Sequence, residues 1–255
     1  MGVHMSAFGK KQKNVSQGEA SGQHSEHREA LVFDYVFAFE NGEEHRFRVD
    51  LDPETLLYLP QKHLEGDNWT RLEHNQCENC SLDPKNHSDC PVALNIRDLI
   101  KAFADKFSYE TADITVHTNE RSYFKKTTMQ KGVASLMGIL MVSNECPVMS
   151  NLRPMVRFHL PFASILETTF RTTSTYLLGQ FFHKDPDKTG DFSFLGLLET
   201  YRNVNRVNQA VSKRIRSIAG EDATENALII LDILALDVVL SIEDQIEELK
   251  PFFIP

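Results

Sequence analysis

The chain is poor in the residues that would place it at once. It has 4 cysteines and 1 tryptophan in 255 residues, with only 12 glycines and 10 prolines. So few cysteines rule out a disulfide-built mini-domain, and the low glycine and proline content rules out collagen-like or low-complexity sequence. Positive charge is also short: the formal net charge is −9, which argues against nucleic acid as the default partner. No apolar core follows a basic start, so a secretory leader is not expected. The longest apolar run, residues 227–242, is interrupted by Asp232 and Asp237 and is too short and too charged to span a bilayer. What is present is ordinary, with 41% hydrophobic and 25% charged residues, enough for a sizeable core in a single folded unit. The expectation is a soluble cytoplasmic protein with no membrane partner.

Residues 1–28 are polar and rich in Lys, Gln, Ser and His, which predicts a disordered tail, with residues 1–5 resembling an expression remnant. Residues 29–255 are then one α+β domain. Phe33, Tyr35, Phe37 and Phe39 alternate onto one strand face, and Phe47, Val49 and Leu51 continue it after Asn41-Gly42, the pair favoured in two-residue type I′ turns. Asp34, Arg46 and Arg48 fall on the opposite face. Val92, Ile96, Leu99, Ile100 and Phe103 recur at helical spacing, and Thr111–Thr118 alternates as a third strand, with a fourth around Tyr123. Residues 128–142 predict a helix whose Gly132 and Gly138 permit close packing. Phe162, Leu166, Phe170, Leu177 and Phe181 form a stripe on the next helix. Two long helices close the chain: one with Leu197, Tyr201, Val204, Val207, Val211, Ile215 and Ile218 as its core stripe, the other over residues 222–249. The fold expected is a small antiparallel sheet of three or four strands packed on a C-terminal helical bundle, with a Cys-rich loop. The acidic ladder of an EF-hand is missing from residues 183–190, which excludes calcium there.

All the cysteines fall in two places. Cys77-Glu-Asn-Cys80 and Cys90-Pro91-Val92 share one polar loop, residues 74–92, and Cys146-Pro147-Val148 repeats the second pattern. A Cys-x-x-Cys turn can set two sulfurs on one tetrahedral centre, Cys90 can return to it, and Cys146 supplies a fourth thiolate; His74 and His87 are substitute ligands. A structureless loop over residues 61–89 would need a staple, and a metal is one. Zinc is favoured because the loop is hydrophilic, whereas an iron–sulfur cluster is usually shielded by apolar side chains; the proline after the cysteine serves both. A redox dithiol should follow a strand, and none precedes Cys77.

A second constellation comprises Arg121, Lys125, Arg153, Arg157, His159, Glu167 and Arg171. The cations Arg121, Arg153, Arg157 and Arg171, with His159, would grip a carboxylate or phosphate, or else form structural ion pairs with Glu145, Glu167, Asp232 and Asp237. Arg202, Arg206, Lys213, Arg214 and Arg216 read as a solvated basic helix face. No Ser-His-Asp order, HExxH or nucleophile elbow is present, so no reaction is assigned. The function expected is metal binding with a structural or regulatory role. An iron–sulfur sensor or an enzyme with an open zinc is the alternative, and a metal-free module for a protein partner the third. The Gln76-Cys77-x-Asn79-Cys80 and Cys90-Pro-Val patterns, with Arg153-Pro-Met and His159-Leu-Pro, resemble an uncharacterised bacterial family of unknown function. That resemblance covers most of the chain after the tail and implies a bacterial, cytoplasmic protein without implying an activity.

Overall fold

The computed structural model describes residues 29–62, 64–103, 107–182, 190–218 and 246–254. The expected tail, the loop at residues 183–189, and most of the last helix with Asp232 and Asp237 lie outside them.

The fold is α+β. Strand β1 (Leu31–Phe39) pairs with β2 (Glu44–Leu51) and β3 (Thr111–Thr118), and β3 pairs with β4 (Ser122–Thr128), giving an antiparallel sheet in the order β2-β1-β3-β4. The alternation in β1 decides its place. Phe33, Tyr35 and Phe37 are almost completely buried, and the register sets Phe33 opposite Val49 and Tyr35 opposite Phe47, so one face becomes continuous. On the other face the Asp34 carboxylate accepts from both Nε–H and Nη2–H of Arg46, while Arg48 pairs with Asp50.

The β1–β2 turn differs from the expected type I′. Gly42 N–H donates to Phe39 O, and only Gly42 has a positive φ, +84°; the Asn41 side chain accepts from Glu43 N–H. Type I′ needs both central residues in the left-handed region, so this is a longer loop with glycine at its single left-handed position.

Against the sheet lies α2 (Met129–Leu140), and α1 (Pro91–Ala102) packs on α2 and meets the sheet through Phe103 just beyond its end. Phe103 packs edge-on to Phe37 with ring centres 4.9 Å apart. Gly132 brings α2 close: a Cβ there would stand 2.4 Å from Ile114 Cδ1 and 2.6 Å from Phe37 Cε1. The predicted stripe on α1, Val92 to Phe103, is buried throughout.

Outside this layer follow a short α3 (Pro154–Arg157), α4 (Ile165–Phe182) and α5 (Leu195–Arg216). The α5 stripe from Leu197 to Ile215 is buried as predicted. The α4 stripe is not: among its described residues Thr169, Thr172 and Thr173 are buried, while Phe170 and Phe181 are exposed. Hydrogen bonding explains the reversal, since Thr172 Oγ1 meets the buried Tyr201 hydroxyl at 2.9 Å and Thr173 Oγ1 bonds back to Thr169 O.

The segment at residues 61–89 is also more ordered than its composition suggests. Asn68–Thr70 forms a 3-10 turn, Arg71 and Asp89 form a bridge, and Leu72 N–H donates to Ser88 O. Trp69 and Leu72 are buried, so the two ends of the loop are closed on the core before the cysteines are reached.

Candidate metal centre

Each thiol is presented by a different local device. Cys77 and Cys80 bracket a tight turn in which Cys80 N–H donates to Cys77 O at 3.0 Å. The turn is held from both sides: the Gln76 amide donates to Leu82 O, and the Asn79 amide donates to Asn203 O on α5. Cys90 is the residue before α1, its N–H donating to Thr70 O at 2.7 Å, and Pro91 opens the helix, where the missing N–H costs nothing. Cys146 lies in the turns after α2, its N–H bound to Asn144 Oδ1 at 2.9 Å. The Val148 and Met149 N–H groups point at its sulfur.

These devices converge. Cys77, Cys80, Cys90 and Cys146 border a single cavity of about 10 Å³, walled by Leu72, Leu82, Val92, Val148, Val207, two prolines and Arg214. Space on that scale holds one water-sized particle. All four cysteines are free, with Cys90 and Cys146 buried and the other two half-buried. As the side chains stand, no group of three or more His, Cys, Asp or Glu among the described residues is closed into a metal-ligand set.

Their electrostatics are those of close neighbours. Burial first, and then the neighbouring Cys90, Cys146 and Cys80, push the Cys77 thiol up to about 12 against the opposing effect of Arg214. Burial likewise raises Cys146, opposed by the N–H groups of Met149 and Val148. Both shifts favour the neutral thiol over the thiolate. Holding several as thiolates together requires a compensating positive charge.

Arg214 is one such charge. Far from lying on a solvated basic face, it is completely buried, because it continues the Val207–Val211 stripe of α5. Its Nη1 donates to Trp69 O and Arg71 O at 2.8 and 2.7 Å, and its Nη2 to Leu72 O at 3.0 Å. It is thus the staple that the loop needed. Its Nε–H is buried with no partner, and Asp89, whose charge interacts with it, is paired instead with Arg71. A guanidinium bordering four sulfurs with an unused donor fits an anionic thiolate centre. The only sequence signal for Arg214 was its helical spacing from Val207 and Val211.

The histidines named as substitute ligands do not border the cavity. His74 Nε2 is bonded to Ser217 Oγ at 2.9 Å, and His87 is exposed.

The arginine constellation disperses. Arg121 pairs with Glu120 on the β3–β4 turn, Arg153 donates to Val142 O and Asn144 O, and Arg157 is exposed. His159 and Arg171 instead line a second, larger cavity of about 640 Å³, together with Lys125 and Glu167. There Tyr35 OH stands 2.9 Å from Ser135 Oγ and 3.1 Å from His159 Nε2, and desolvation holds His159 down at about 3. Tyr35 and Ser135 had no mark in the sequence as site residues, since both read as parts of regular elements.

Across residues 33–254 the chain matches a family described as a domain of unknown function (DUF6901), and it belongs to that family. No curated protein and no solved structure matches it. Among the described residues no helix is long and apolar enough to cross a membrane.

Proposed function

We propose that this member of the DUF6901 family is a metal-binding protein whose thiolates Cys77, Cys80, Cys90 and Cys146 hold one zinc ion. The observation that carries the reading is the buried Arg214, its Nε–H unpartnered beside four free thiols. Four thiolates around Zn²⁺ carry a net charge of about −2, which a neighbouring guanidinium offsets. The small volume of the cavity favours one ion over a multi-iron cluster. Four protein ligands leave no open position for water, so the role is structural or regulatory. The ion would tie the Cys77–Cys80 turn to the start of α1 and to the turns after α2. Free thiols of this kind suit a reducing, cytoplasmic compartment.

One observation favours a second reading. The walls contributed by Leu72, Leu82, Val92, Val148 and Val207 are apolar, as expected around an iron–sulfur cluster.

Metal analysis of the anaerobically purified full chain, with an absorption spectrum, tests both. The expected result is a colourless protein with one equivalent of zinc. Cys80→Ser should lose metal and thermal stability together, because binding is linked to folding. Brown protein containing iron transfers the site to the second reading. Metal-free protein whose stability Cys80→Ser leaves unchanged overturns both.

A further inference from the structure

The second cavity has no part in the metal site, although α5 runs beside both. At about 640 Å³ it lies within the size range of small-molecule sites, roughly 300–1,000 Å³. Met141, Met149 and Met155 contribute to its walls, giving an apolar surface that adapts to a flexible chain. Its charge is one-sided. Lys125, Lys131 and Arg171 line it against one carboxylate, Glu167, whose Oε2 already accepts from Ser164 N–H and Oγ–H at 2.8 and 2.9 Å. Glu167 acts electrostatically on Lys125 and Arg171, and among the described residues no other carboxylate lines the cavity. Arg171 is half-buried and held in place by donating to Phe158 O at 2.9 Å and Met155 O at 3.0 Å. Glu167 offsets Arg171 and Lys125 only in part, since one carboxylate faces three cations, and a partly desolvated guanidinium in such an excess of positive charge favours a second anion.

We propose that this cavity binds a small amphiphilic monoanion, its carboxylate held by Arg171 with Lys125 and Lys131 and its hydrocarbon tail laid along the methionine wall. Both halves of the ligand are needed. A bare anion leaves the apolar wall uncovered, and a neutral lipid leaves the excess positive charge in place.

Calorimetric titration of the full chain with dodecanoate, and separately with dodecanol and acetate, tests the assignment. Dodecanoate should saturate at a single equivalent and bind at least about tenfold more tightly than dodecanol, the worth of one hydrogen bond to a charged group. Acetate should show no saturable binding. The double variant Lys125→Gln/Lys131→Gln, altered at exposed residues so that folding is spared, should weaken dodecanoate by about tenfold and leave dodecanol unchanged. Ala163→Phe, which places a ring in the cavity from a half-buried loop position, should abolish binding. Equal affinity for dodecanoate and dodecanol, unaltered affinity in the double variant, or no saturable binding at all would overturn the proposal.

Discussion

The sheet layer and the cysteine corner are held by different physics. Between β1, β3, α1 and α2 the contacts are aromatic and aliphatic, with Phe37, Ile114 and Phe103 buried to within 1%. The stability of that layer comes from apolar area removed from water and from close fit. At the cysteine corner the loop is held by directed bonds: Arg214 to three carbonyls, Asn79 to Asn203, Cys90 to Thr70. Packing of the first kind tolerates many apolar sequences. The second kind depends on single donors, so one substitution there should outweigh most substitutions in the sheet.

Arg214→Met should produce the largest effect. It removes the Arg214 donors from the carbonyls of Trp69, Arg71 and Leu72, of which Arg71 O keeps only the His74 N–H, and should cost about 3–5 kcal/mol. Urea unfolding of the variant measures this. A loss below that of a typical core truncation would remove the distinction between the two regions. Arg214→Lys should rescue little, because an ammonium cannot span three carbonyls with the geometry of a planar fork.

Gly132→Ala sharpens the other side of the contrast. The added methyl would meet Ile114 Cδ1 and Phe37 Cε1 at 2.4 and 2.6 Å, so α2 must shift or the side chains must move off their rotamers. Overpacking of this kind costs about 1–3 kcal/mol. A neutral or stabilising result would show the sheet layer to be looser than its close contacts imply.

The smallest effect should come from Asp34, on the polar side of the same sheet. The hydrogen bond from Arg46, ahead of the cost of burial, holds its carboxyl below the ordinary value of 3.8. A carboxyl depressed in the folded state contributes stability above its unfolded value. That contribution is lost as pH falls through the lower folded value. Because Arg46 is largely exposed, screening limits the effect to roughly 1 kcal/mol or less. Asp34→Asn should flatten that part of the acid limb in unfolding curves recorded down a pH series.

Much of the sheet layer was legible in the sequence because periodicity reports apolar faces directly. The alternation from Phe33 to Phe39 and the stripe from Val92 to Phe103 needed no further information. Arg214 was misread because it stands among Arg202, Arg206, Lys213 and Arg216, which together read as a solvated basic face. Only the carbonyls of Trp69, Arg71 and Leu72, more than a hundred residues distant, make it buriable. The α4 threonines were passed over for the same reason: their burial depends on Tyr201 and on bonds to their own helix. At the β1–β2 turn, Asn41 uses its side chain on Glu43 instead of adopting a left-handed backbone, which its pairing with Gly42 does not reveal. The convergence of Cys146 with the loop cysteines depends on how α1 and α2 pack, so spacing could nominate it and only the fold could bring it near.

The central claim is that four sulfurs and one guanidinium form a single metal site. X-ray absorption at the zinc edge of the anaerobically purified full chain tests it most directly. The account predicts a first shell of four sulfurs at about 2.3 Å. A shell dominated by nitrogen or oxygen, or a protein that takes up no zinc at all, would contradict it.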